Sequence, residues 1–150
     1  GPKSNRIKNH LINLDSYYEK LDKFFNDFYQ DNKTTFIITD DHGMDIRRAH
    51  GDGNPDCTRT PYVAWGSGIR EAIFREKKPE EEDTPKEWNL DNYERRDISQ
   101  IDFTPFMAGL LGINFPMNSL GIIPLDLFNV DEKIKSKLLY GNMLLDIFFG

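Results

Sequence analysis

Residues 34–51 read TTFIITDDHGMDIRRAHG. The run Phe36-Ile37-Ile38 is short, apolar and bounded by polar turn formers, the pattern of a buried strand. It stops abruptly at Asp40-Asp41-His42-Gly43, and His50 follows in the same loop. The carboxyl end of a strand is where open α/β sheets place their chemistry. Carboxylate plus imidazole is a ligand mix suited to zinc or a related divalent ion. Two of the three histidines of the chain fall in this loop, which makes it the candidate site.

A plain turn is the competing reading, because Asp and Gly both favour turns. Three features weigh against it: the acids and the histidine follow a strand, the loop after them is long, and His50 is near enough in sequence to fold back. The loop offers Asp41, His42 and His50 as metal ligands, with Asp40, Asp45 and Asp52 as further carboxylates. A zinc ion wants four ligands. The loop therefore reads as a one-metal hydrolase site or as a share of a two-metal site completed elsewhere.

Upstream, residues 5–30 read as one long helix. Ile7, Leu11, Leu14, Tyr18, Leu21, Phe25 and Phe28 recur at steps of four and three and form one apolar stripe. Such a helix spans roughly 35–40 Å, enough to lie along a sheet. Ser4 or Asn5 is placed to cap its start. Three aromatic-rich heptads favour packing on a sheet over a coiled coil. His10, beside the stripe, reads as a solvated or packed helix residue.

Downstream, residues 40–60 read as a loop with little periodicity, followed by a second strand over Pro61–Trp65. The Gly51-Asp52-Gly53 turn is a weak phosphate cradle, and Arg47-Arg48 read as facing water more readily than a phosphate. A charged, Pro-punctuated insert occupies about residues 71–87, with order returning at Trp88. Asp102 stands where an N-cap belongs, ahead of a helix over Phe103–Leu111. Pro105 falls in the first turn and Gly112 just past the last. Gly121–Pro124 reads as an edge strand or extended segment, and Asp131–Phe148 as a terminal helix. This element order is that of an α/β protein.

Lys+Arg number 19 against 25 Asp+Glu, a net charge of -6. That balance disfavours nucleic acid and anionic membrane surfaces as main partners. No apolar run approaches the roughly 20 residues of a membrane-spanning helix. Cys57, the only cysteine, cannot form an intrachain disulfide and reads as a small semi-buried residue. No nucleophile elbow, Walker loop, H-E-x-x-H or C-x-x-C competes with the candidate loop.

TTFIITDDHGM, HGDGNPDCTRTPYVAWGSGI and QIDFTPFMAGLLGINFPMNSLGIIP resemble the carboxyl-terminal part of the lumenal catalytic domain of the GPI ethanolamine phosphate transferases, within the alkaline phosphatase superfamily. The likeness is best with the member acting on the first mannose of the anchor, and it covers roughly residues 5–128. It implies a partial alkaline-phosphatase-like domain over residues 1–150: an α/β fold, a three-layer α/β/α sandwich with a mostly parallel sheet. It also implies two zinc ions, with Asp41 and His42 on one and His50 on the other. The implied reaction is in-line displacement at phosphorus, moving ethanolamine phosphate from phosphatidylethanolamine to the GPI glycolipid through a zinc-activated threonine. That threonine, a first aspartate and a further metal-binding pair are expected upstream, so no catalytic nucleophile is expected within this chain and the piece alone is expected to be inactive. Its expected partner is the missing amino-terminal part of the same domain. The parent protein is expected to be a multi-pass membrane protein with this domain in the endoplasmic reticulum lumen.

Two positions depart from the resemblance. Asn54 stands where those enzymes often carry a second histidine, and Asp40 where they usually carry a small residue. Two rival functions remain: another superfamily phosphodiesterase or phosphomutase, and a non-catalytic interaction domain acting through its acidic insert.

Overall fold

The structure is a computed structural model describing residues 5–75 and 89–149, with the side chains of 143–149 excepted. The chain forms two compact units, Gly1–Ser67 and Gly68–Gly150.

The first unit opens with α1, Asn5–Tyr29. The helix ends where Gln30 and Asn32 adopt left-handed backbone, with φ of 51° and 52°. β1, Thr35–Thr39, follows and pairs with β2, Tyr62–Gly66, from Thr35 opposite Gly66 to Thr39 opposite Tyr62. Phe36 and Trp65, directly opposite, stack with ring centroids 5.0 Å apart. Cross-strand aromatic pairs of this kind stabilise a sheet locally. The carboxyl-terminal third of α1 lies on this pair: Phe25 meets Phe36 at 6.2 Å, and the Trp65 indole N–H donates to Asp22 at 3.4 Å. The expected packing of helix on sheet is thus confined to that end. Ile7, Leu11 and Leu14 are exposed.

The expectation of a mostly parallel sheet needs correction for these strands, since β1 and β2 pair antiparallel. The reason lies in their connection. Parallel neighbours need a crossover, usually a helix laid across the sheet. Residues 40–61 instead turn back with only α2, Pro55–Thr58, in their path. That one-turn helix also corrects the reading of residues 40–60 as plain loop.

The second unit is built around α3, Phe103–Leu111. Pro105 and Phe106 are completely enclosed, and Ala108, Ile123, Leu127 and Phe128 complete the core. Phe128 meets Phe106 edge to face at 5.3 Å. Gly109 lets this happen: a Cβ there would stand 2.9 Å from Cζ of Phe128. Gly112 ends α3 with φ 64°, the left-handed cap its position suggests. Asp102, by contrast, does not cap α3 with its side chain. Its carboxylate accepts Ser99 N–H at 3.1 Å, closing the 3-10 turn Gln100–Asp102, and Ile122 N–H at 2.8 Å. The requirement to tie down the Gly121–Pro124 segment outweighs the local cap. That segment is extended loop and forms no strand. The terminal helix α4, Glu132–Phe149, is capped by Asp131, whose carboxylate accepts Ile134 N–H at 2.8 Å.

Most of the acidic insert, residues 76–87, and Trp88 lie outside the described residues, as does Ser4. The chain on either side of the insert is held by a bridge between Phe74 and Tyr93. Among the described residues no helix is long and apolar enough to cross a membrane.

Candidate metal centre

The candidate ligands leave β1 in succession. Asp40 turns the chain at the strand end, its carboxylate accepting Asp41 N–H at 3.2 Å. Asp41 and the half-exposed His42 follow, with His42 Nε2 3.9 Å from Asp41 Oδ1. On the other side of the ring, Nδ1 lies 2.8 Å from the Gly43 carbonyl oxygen. A carbonyl only accepts, so Nδ1 carries the proton, and in the neutral ring Nε2 presents a lone pair. Metal-binding histidines are oriented by this kind of hydrogen bond to the distal nitrogen.

Gly43 is required by its surroundings. Its N–H donates to Cys57 O at 2.9 Å, and an added Cβ would lie 2.2 Å from Asp56 O and 2.7 Å from Arg59 O. The backbone of α2 therefore rests directly on the residue after His42. α2 starts at Asn54, whose side chain accepts Asp56 N–H at 3.0 Å, with Pro55 in its first position. Asn54 thus has a capping role. The Asn-Pro pair is the signal that would have revealed this helix from sequence.

Asp45 organises the return to His50. It is buried, with 6% of its surface exposed, while Met44 and Ile46 beside it are open to solvent. One carboxylate oxygen accepts Arg47 N–H at 2.8 Å and Ala49 N–H at 2.9 Å. The other takes Nε and Nη2 of Arg47, each at 2.7 Å. The Ala49 N–H bond, first, and the Arg47 side chain, second, hold its carboxyl below the usual range. The further carboxylates named from sequence therefore have local work: Asp45 here, Asp40 at the strand end, and Asp52 accepting Asn54 N–H at 2.9 Å. Arg47 is engaged by Asp45. Cys57 is buried, its thiol donates to Ala49 O at 3.3 Å, and burial pushes its pKa up. It is a structural thiol.

The loop so built lays His50 on His42. The rings are 4.8 Å apart and 20° from parallel. His42 thus neighbours both Asp41 and His50 near the end of β1, while His10 is an exposed residue of α1. Imidazole lone pairs lie in the ring plane, so two nearly parallel rings cannot both aim at one ion between them. Accordingly, among the described residues no three His, Cys, Asp or Glu side chains form a cluster able to hold a single ion. The donor types, carboxylate and imidazole, are those that divalent ions such as zinc take. Asp41 Oδ1 and His42 Nε2 lie 3.9 Å apart, somewhat farther than the roughly 3.3 Å between two ligands of a tetrahedral zinc ion. The second imidazole lies across the ring stack, its centroid 4.8 Å from the first.

Residues 6–113 match the family described as Sulfatase, and the chain belongs to that family, which carries an alkaline-phosphatase-like α/β fold. Within it, the chain is similar to GPI ethanolamine phosphate transferase 1 of Homo sapiens, 39% identical over 142 residues that make up 94% of this chain and 15% of that protein. The Candida glabrata protein of the same name is 41% identical over 141 residues, 94% of this chain and 15% of its own length. The one from Saccharomyces cerevisiae is 40% identical over 117 residues, 78% of this chain and 13% of its own. The chain thus spans about 15% of the length of the curated relatives it matches. No solved structure matches it.

Proposed function

We propose that this chain is part of a phosphoethanolamine transferase acting on the GPI anchor precursor, and that Asp41, His42 and His50 are its contribution to a two-zinc centre. The observation that carries the reading is the His42–His50 stack with Asp41 beside it, at the end of β1. The names of the relatives support the substrate class. In this reading residues 1–150 belong to one three-layer α/β/α domain facing the endoplasmic reticulum lumen, in a multi-pass membrane protein. Family membership supports the α/β layers. In this reading the remaining ligands and a nucleophilic threonine come from another part of the same catalytic domain.

Asp41 and His42 would hold one ion, and His50 its neighbour. When bound, such a pair supplies Lewis acidity at a phosphoryl oxygen and lowers the pKa of a hydroxyl nucleophile. The chain's own part is orientation. The Gly43 carbonyl, 2.8 Å from Nδ1, orients the His42 ring so that Nε2 is the nitrogen turned toward Asp41. α2, resting on Gly43, holds that carbonyl in place. Asp41 brings the negative charge that a dication centre needs.

The test uses the full-length protein with phosphatidylethanolamine as donor and the mannosylated GPI glycolipid as acceptor. Asp41→Ala, His42→Ala and His50→Ala are each expected to lower transfer by about a thousandfold or more, the scale of several kcal/mol of transition-state stabilisation. Wild-type rates on these variants would refute the assignment. Turnover of nucleotide or sugar phosphates in place of the lipid donor would mark another superfamily phosphodiesterase or phosphomutase.

A further inference from the structure

The loop between the two histidines is seven residues of mostly exposed chain, 43–49, whose buried polar side chain is Asp45. Its carboxylate gathers Arg47 N–H, Ala49 N–H and the Arg47 guanidinium. Its own backbone closes the same turn, donating to Ala49 O at 3.1 Å and accepting Arg48 N–H at 3.0 Å. The turn is tight enough to put Arg48 at φ 67°, a conformation that costs a non-glycine residue free energy and persists only where its surroundings enforce it. His50 is the next residue after Ala49, so the end point of this turn fixes where its ring starts. We infer that Asp45 is a positioning residue: by clamping the Arg47–Ala49 turn it sets the spacing and near-parallel stacking of the His42 and His50 imidazoles.

This rests on the reading of the two histidines as ligands to neighbouring ions, and gives that reading a support built from this chain's own residues. Asp45 does not touch the reacting atoms. Its contribution is preorganisation: a pair of donors already spaced for two ions loses less freedom on binding them than a pair on a slack loop.

The experiment follows the imidazole signals of His10, His42 and His50 in the metal-free, selectively labelled full-length protein by NMR, with His10 as an internal reference for α1. Wild type is expected to show a direct through-space contact between the His42 and His50 rings. Asp45→Ala is expected to lower the stacked population roughly tenfold or more, the scale of losing hydrogen bonds to a charged group, with His10 unchanged. Asp45→Asn, which keeps an acceptor for the two backbone N–H groups, is expected to restore part of the contact. A merely structural loop anchor would move α1 and the strand pair along with the rings. Should Asp45→Ala lose the His10 reference as well, Arg47→Met decides: a weakened ring contact with His10 intact supports the proposal. An undiminished ring contact in Asp45→Ala or Arg47→Met overturns it, as does its absence in wild type. Zinc added to the full-length wild-type protein separates the two readings. Failure of zinc to perturb either ring counts against the metal centre, while an Asp45-dependent stack would still stand.

Discussion

A Cβ on Gly43 would stand only 2.2 Å from the carbonyl oxygen of Asp56. This relationship ties the short helix α2 to the residue after His42, and so ties a structural element to the candidate site. A methyl group at 43 must push α2 off the loop. Gly43→Ala is therefore expected to destabilise the first unit by about 1–3 kcal/mol, as overpacking does, and to weaken zinc binding in parallel. Chemical denaturation and zinc titration by calorimetry check both. Wild-type behaviour in both would mean that α2 does not rest on Gly43.

Asn54 holds the start of that helix through its bond from Asp56 N–H. Asn54→Ala is expected to cost about 1 kcal/mol, the usual price of a lost N-cap, whereas Asn54→Asp or Asn54→Ser is expected to cost little. Denaturation midpoints of the three variants give the comparison. An equal loss in all three would mean that the amide acts otherwise than as a cap.

In the second unit, Phe106 is fully enclosed and meets Phe128 edge to face. Phe106→Ala is expected to cost about 3–5 kcal/mol. In denaturant melts the loss should appear as a lower midpoint, read from the environment of the Phe128 ring. A change below about 1 kcal/mol would show that Phe106 is not the centre of this core.

Arg96 grips Asp126 with Nε at 2.6 Å and Nη2 at 3.2 Å. These bonds, outweighing partial burial, hold the Asp126 carboxyl below its usual range. A carboxyl with a depressed folded-state pKa contributes stability above its unfolded value of about 3.9 and loses it as pH falls through the folded value. The stability gap between wild type and Asp126→Asn should therefore be full at neutral pH and shrink below about pH 4. Denaturant melts across that range measure it. A gap independent of pH would remove the ion pair from the account.

The sequence was informative where one local signal dominated. The stripe of α1 and the apolar run of β1 announced themselves by period, and Gly112 by its place after the last turn of α3. The Asp-His-Gly block was legible because two histidines and a strand end coincide there. What escaped notice were features set by competition or by distant contacts. Asp102 is a good N-cap by type, yet its carboxylate goes to Ser99 and Ile122. The strand direction depends on how residues 40–61 return, and one turn of helix is too short to show a period. Asp45 could be named as an acid, but its burial and its hold on Arg47 and Ala49 arise only when the loop closes.

The central claim is that Asp41, His42 and His50 serve neighbouring metal ions. Anomalous scattering at the zinc absorption edge, from crystals of the full-length protein grown with zinc, tests it most directly. The account predicts two peaks, one about 2.0–2.2 Å from both Asp41 and His42 Nε2 and the other about 2.0–2.1 Å from a nitrogen of His50. Peaks lying elsewhere, or a single ion that leaves His50 without a metal, would contradict it.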